Sequence, residues 1–277
     1  MGGRYAIIII ILISLHCQTC AGLMTCGCSS RSYRTRPVIT YTQLGQASRP
    51  EPKPVESQPV ITLPVVFHVL KGIVMRKSGV VMNVWVGCID TPGLLFEINR
   101  IWSPANIQFE IPQCSDNEVI LSEYQLQLVQ AIETAEKDSD YRGRAINDLV
   151  DSIGVHRNDA LNVYLIPFLG ADSQGIAKIG GTKATIGVWS DKFSKDVPVR
   201  SLLVESNPMV RGSIARTIAH EFGHNLGLDH PTDGVVSFPR LMGGDFQGYG
   251  LTDSEVTQAR SKAIEQSDAF KVRGWGS

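Results

Sequence analysis

Three of the chain's six histidines fall within the stretch RTIAHEFGHNLGLDHPTDG, at His220, His224 and His230. His220 and His224 are four residues apart, so on an α-helix their side chains point the same way and two imidazoles reach one ion. His230 lies six residues further on and can join them only if the chain leaves the helix in between. Gly227 stands where that turn must occur, and glycine takes a positive φ without a Cβ penalty. Three neutral imidazoles leave one position of a tetrahedral ion open. Structural zinc sites fill all four positions with protein ligands and favour thiolates, so the pattern points to a catalytic ion with water as fourth ligand. Glu221 sits about 100° round the helix from His220, beside the ion, where it can serve as general base towards that water. Asp229 reads as a loop acid rather than a ligand.

These residues need a rigid frame. Asn207-Pro208 offers a helix start, Ile214, Ile218 and Leu226 fall near one face, and Gly227 is the stop. Upstream, ITLPVVFHVLKG is a β-branched apolar run that predicts a buried strand from Ile61, with His68 as a structural residue in it. DTPGLLFEINRIW predicts a helix with Thr91 as N-cap and Pro92 at its first position, presenting Leu94, Ile98, Ile101 and Trp102 on one face. ANIQFEI predicts the strand that runs back. Cys88 precedes that helix and Cys114 follows that strand, so the two meet on one side. In an exported protein they would form a disulfide worth roughly 3 kcal/mol; two unpaired buried thiols are the alternative.

SEYQLQLVQAIETAEKD and RAINDLVDSIG carry helical spacing, and ALNVYLIPFLG alternates as a strand. IGGTKATIGVWS is glycine-punctuated and alternating, which suits an edge strand. His156, in the polar run GVHRNDA, reads as a surface residue. Thr252 and Glu255 form a capping-box pair that opens a last helix.

The composition, 43% hydrophobic and 19% charged over 277 residues, is that of a globular domain with appendages. A net charge of −1 argues against nucleic acid as a partner. Residues 1–21 have a positive start and an apolar run from Ala6 to Leu15, the pattern of a secretory signal. The run is short for a membrane span. Contact with a membrane is then through an uncleaved signal anchor or a lipid on one of the crowded cysteines (Cys17, Cys20, Cys26, Cys28), and both alternatives stay open. Residues 22–59, rich in Ser, Pro, Arg and Thr, predict a disordered linker, with the folded domain at 60–277.

The run His220-Glu221-Phe222-Gly223-His224-Asn225-Leu226-Gly227-Leu228-Asp229-His230 resembles the metzincin zinc metallopeptidases, whose pattern is H-E-x-x-H-x-x-G-x-x-H. HEFGHNLGLDH is most similar to matrixins and reprolysins, whereas Pro231 is similar to serralysins, so no subfamily follows. The resemblance implies one catalytic zinc ion held by the three histidines, Glu221 as catalytic base, and Met242 on a turn beneath the metal. It implies an α+β fold: a twisted mixed sheet of about five strands, two long helices above the zinc cleft, and a small C-terminal helical subdomain. The strand near Lys183–Val188 would be the edge that pairs with an extended protein or peptide substrate. No matrixin-type cysteine propeptide motif is present, and the sequence is silent on calcium.

Overall fold

The chain was analysed as a computed structural model that describes residues 58–77, 80–84, 86–135, 139–169, 175–188, 214–231, 240–243 and 248–276. Contacts divide it into units at 1–49 and 50–277, and every described residue lies in the second. The expected signal, the four N-terminal cysteines, most of the linker and the Asn207-Pro208 helix start lie outside the described residues.

β1 (Ile61–Lys71) is the backbone of the fold, and its run of β-branched and aromatic residues is buried on both faces. Such two-sided burial belongs to a parallel strand between helical layers. It pairs in parallel with β4 (Ile107–Glu118) on one side and β5 (Leu161–Ile166) on the other. β7 (Lys183–Gly187) continues in parallel from β5, and β6 (Gly175–Ala177) closes the sheet antiparallel to β7. The order is β4-β1-β5-β7-β6, with β2 (Val74–Lys77) and β3 (Val80–Asn83) as a separate hairpin. The expected mixed sheet of five strands is thus present. One expectation is corrected: the strand at Lys183–Val188 is interior, and the edge on that side of the sheet is β6. Glycine punctuation and alternation cannot distinguish the two, because a three-residue outer partner carries no period to read.

One face of the sheet packs on α1 (Thr91–Trp102), α4 (Ile214–Asn225) and α5 (Asp253–Val272), around Leu63, Val65, Phe67, Trp102, Phe109 and Phe222. The other face is covered by α2 (Glu123–Thr134) and α3 (Ser139–Ile153), with Leu70, Tyr164, Ile146 and Leu149 between. α1 starts differently from expectation: Asp90 is its N-cap and Thr91 its first residue. A 3₁₀ turn at Cys88–Asp90 already winds the chain, and the Thr91 hydroxyl donates back to the Cys88 carbonyl (2.8 Å) instead of capping. Asn99 on α1 donates to the carbonyl of Phe109 (3.0 Å) and accepts from its N–H (2.7 Å), so a side-chain amide satisfies the open edge of β4 at that residue. Cys88 and Cys114 are joined as a disulfide, tying α1's approach to β4.

α5 begins with the expected capping box at Thr252 and Glu255. From it Arg260 donates to the carbonyls of Pro59 (3.0 Å) and Ala105 (2.6 Å), and Ser267 to that of Thr62 (3.4 Å). Gln258 donates to the Gly227 carbonyl (2.5 Å) and Gln266 to that of Asn225 (3.0 Å). One helix therefore grips both the start of β1 and the end of α4.

His68 is buried on β1 and stacks on Tyr164, with ring centroids 4.8 Å apart. The Asn162 amide donates through Nδ2 to the Arg157 and Ala160 carbonyls, which fixes its Oδ1 as the acceptor facing His68 Nε2 at 3.0 Å. Nε2 therefore carries the hydrogen, and Nδ1 has no hydrogen-bond partner. Burial holds this imidazole below the ordinary value of 6.5. The unfolded chain then takes up a proton at His68 before the folded chain does, so stability is full above about pH 6.5 and falls as the pH drops through the lowered value. In His68→Gln the loss of melting temperature between about pH 7 and about pH 5 is expected to be smaller than in the wild type, at equal metal content. Parallel pH–Tm curves for the two proteins would remove His68 as a source of acid sensitivity.

Candidate metal centre

α4 is buried along its whole length. Ile214, Ala215, Ile218, Ala219 and Phe222 join the core, and the Trp102 indole of α1 donates to the Ala219 carbonyl (3.2 Å). Phe222 lies against Phe109 with ring centroids 4.6 Å apart. A helix wedged in this way holds its side chains to one orientation.

The helix ends at Gly227, whose φ of +86° only glycine adopts readily. The Gly227 N–H donates to the His224 carbonyl (2.9 Å) and the Leu228 N–H to the Gly223 carbonyl (2.9 Å), which together make a Schellman motif. Buried Leu228 anchors the turn, and the chain doubles back to His230.

The structure brings His220, His224 and His230 together, with one ligand atom from each within 4.8 Å of the others. His220 Nδ1 lies 2.7 Å from the Leu241 carbonyl and His224 Nδ1 lies 2.9 Å from the Leu228 carbonyl. Carbonyl oxygens only accept, so both Nδ1 atoms carry hydrogen and both Nε2 atoms keep a lone pair. His220 Nε2 and His230 Nε2 approach to 3.1 Å. Neutral imidazole lone pairs directed at one point suit a divalent cation, and nitrogen donors in this number suit zinc. Burial pushes His220 down to about 3, with neighbouring His224, Arg216 and His230 acting the same way, and lowers His224 as well. These two imidazoles thus stay in the ligating form at neutral pH.

Glu221 is buried against β6. A Cβ built on Gly175 would fall 2.6 Å from Glu221 Cγ and 2.7 Å from its Cδ. Burial alone pushes the carboxyl up to about 8. A divalent cation nearby acts in the opposite sense and favours the carboxylate.

Met242 is fully buried in a turn closed by the Gly243 N–H and the Arg240 carbonyl (3.3 Å). It packs directly beneath Gly223, where an added Cβ would overlap its sulfur and approach Cε to 3.0 Å. Asp229 is exposed and accepts from the His230 N–H (2.7 Å). His156 is exposed, with Nδ1 3.1 Å from the Tyr164 hydroxyl, and lies apart from the cluster. Three participants escaped the sequence reading: Gly175, Arg216 and the Leu241 carbonyl. The first belongs to a strand too short to show a period, the second reads as an ordinary charged helix residue, and the third is a backbone atom.

Residues 97–231 match a family model described as Metallo-peptidase family M12B Reprolysin-like. That segment contains the three histidines and Glu221, and Met242 lies beyond it. No curated protein matches the chain. Among solved structures, the chain is similar to archaemetzincin from Methanopyrus kandleri, at 14% identity over 75% of this chain and 99% of that one, with a TM-score of 0.41. It is also similar to metalloproteinase-II from Bacteroides fragilis, at 12% identity over 74% of this chain and 55% of that one, with a TM-score of 0.34.

Proposed function

We propose that this metzincin-like chain, with its reprolysin-like segment, is an exported zinc-dependent endopeptidase in which Glu221 is the catalytic base. The observation that carries the reading is the convergence of three histidines, two of them locked in the ligating tautomer, beside a buried glutamate. Zinc, when bound by His220, His224 and His230, supplies Lewis-acid polarisation of the scissile carbonyl.

Glu221 accepts a proton from the attacking water as the water oxygen bonds to the carbonyl carbon. It then gives that proton to the amide nitrogen as the carbon–nitrogen bond breaks, so one water is consumed and one amine and one carboxyl end are released. β6, the edge strand beside Glu221, offers its outer backbone to an extended peptide, which fits a protein or peptide substrate. Export is supported by the apolar run after Arg4 and by a disulfide inside the folded domain. Among the described residues no helix is long and apolar enough to cross a membrane.

Metal removal tests the reading. The purified chain is expected to hold about one zinc ion, as the three-histidine cluster requires. A chelator should abolish cleavage of a mixed peptide library and added zinc should restore it. A chain that is fully loaded with zinc and cuts nothing would instead be a binding module built on a peptidase fold.

A further inference from the structure

We propose that Arg216 is a positioning residue that aims the His220 imidazole at the metal. The inference takes its functional meaning from the zinc peptidase reading, while its geometry stands without it. Arg216 lies one helical turn before His220 on α4 and is 1% exposed, a burial that guanidinium groups rarely reach. Its Nε donates to the Gly248 carbonyl (2.6 Å) and its Nη2 to the Leu241 carbonyl (3.2 Å). The Leu241 carbonyl is the same oxygen that receives His220 Nδ1–H.

One rigid fork therefore holds Leu241, the neighbour of Met242, and Gly248 against the helix that carries the histidines. The planar guanidinium can make these two bonds at a fixed spacing, whereas an ammonium on a flexible stem acts as a point charge. The carbonyl's position decides which imidazole nitrogen carries hydrogen, and so which nitrogen faces the metal. Other contacts support the segment from outside. The Leu241 N–H donates to the Gly250 carbonyl (2.7 Å), and Arg240 pairs with Glu255 at the start of α5 (2.8 Å). Arg216, by contrast, joins His220's own acceptor to His220's own helix.

The test uses the full chain with Arg216→Met, which keeps length and loses the donors, and Arg216→Lys, which keeps charge and loses the fork. Two quantities are read: imidazole ¹⁵N resonances of the metal-free protein, and affinity for zinc alone in competition with a chromophoric chelator. The wild type should show His220 in the Nδ1–H form. Arg216→Met should average that signal between tautomers and weaken zinc about 10- to 100-fold, the range for loss of a group that orients a ligand. Arg216→Lys should recover part of each loss.

Wild-type resonances and zinc affinity in Arg216→Met overturn the proposal even if its Tm falls, since that result leaves only a structural role. If Arg216→Met does not fold, Arg216→Lys decides: a partial loss supports the fork and wild-type behaviour overturns it. A wild type that orients His220 but binds no zinc sinks the peptidase reading instead, because the imidazole signal is read without metal.

Discussion

Glu221→Gln is expected to lower kcat/KM for peptide cleavage by about 10²- to 10⁴-fold, the range for a positioned acid–base group. Zinc content should stay at the wild-type level. Glutamine keeps the shape of the side chain, and the site requires that shape, because Glu221 fills a closed space against Gly175. What it loses is the ability to hold a proton between attack and departure of the amine. The three histidines and the carbonyls that orient two of them are untouched. Equal cleavage by wild type and variant, at equal zinc, would remove Glu221 from the chemistry. Loss of zinc in the variant would show instead that the carboxyl supports the metal site.

Gly175→Ala is expected to cost about 10²-fold in kcat/KM with little change in zinc affinity. A methyl group there would meet Glu221 Cγ and Cδ at 2.6 and 2.7 Å, closer than carbon atoms approach. Glu221 is buried on all sides, so it cannot swing aside cheaply, and either the carboxyl or β6 must shift. A displacement of about 1 Å at a reacting group costs on the order of 10² in rate. None of the atoms nearest that methyl group belongs to a histidine, which is why zinc binding should survive. Double substitution provides the check: once Glu221 is glutamine, adding Gly175→Ala should lower the residual rate much less than it does in the wild type. Additive losses in the double variant would mean that β6 acts on the substrate alone.

Local patterns account for most of what the sequence reveals of the site. His220, His224, Gly227 and His230 lie on one continuous stretch, and helix geometry with one left-handed glycine determines their meeting. The Thr252–Glu255 cap and the Cys88–Cys114 pair are legible for the same reason, since each depends on neighbours in sequence or on one helix–strand return. The place of β7 is not, because an alternating strand looks alike at an edge or inside, and only the pairing of β6 decides. Arg216 is hidden differently. A charged residue on a helix is presumed solvated until two distant carbonyls are shown to receive it.

α5 follows α4 in the chain, yet it supplies the amides that hold the Asn225 and Gly227 carbonyls and the groups that clasp Pro59 and Thr62. During synthesis the histidine motif therefore leaves the ribosome before the helix that secures it. The nascent chain carries the three histidines and Glu221 while the turn between the second and third histidines still lacks its outer support. The metal cluster is in this way secured only once α5 has emerged, and a chain cut short before α5 would carry the histidine motif without the scaffold that holds it.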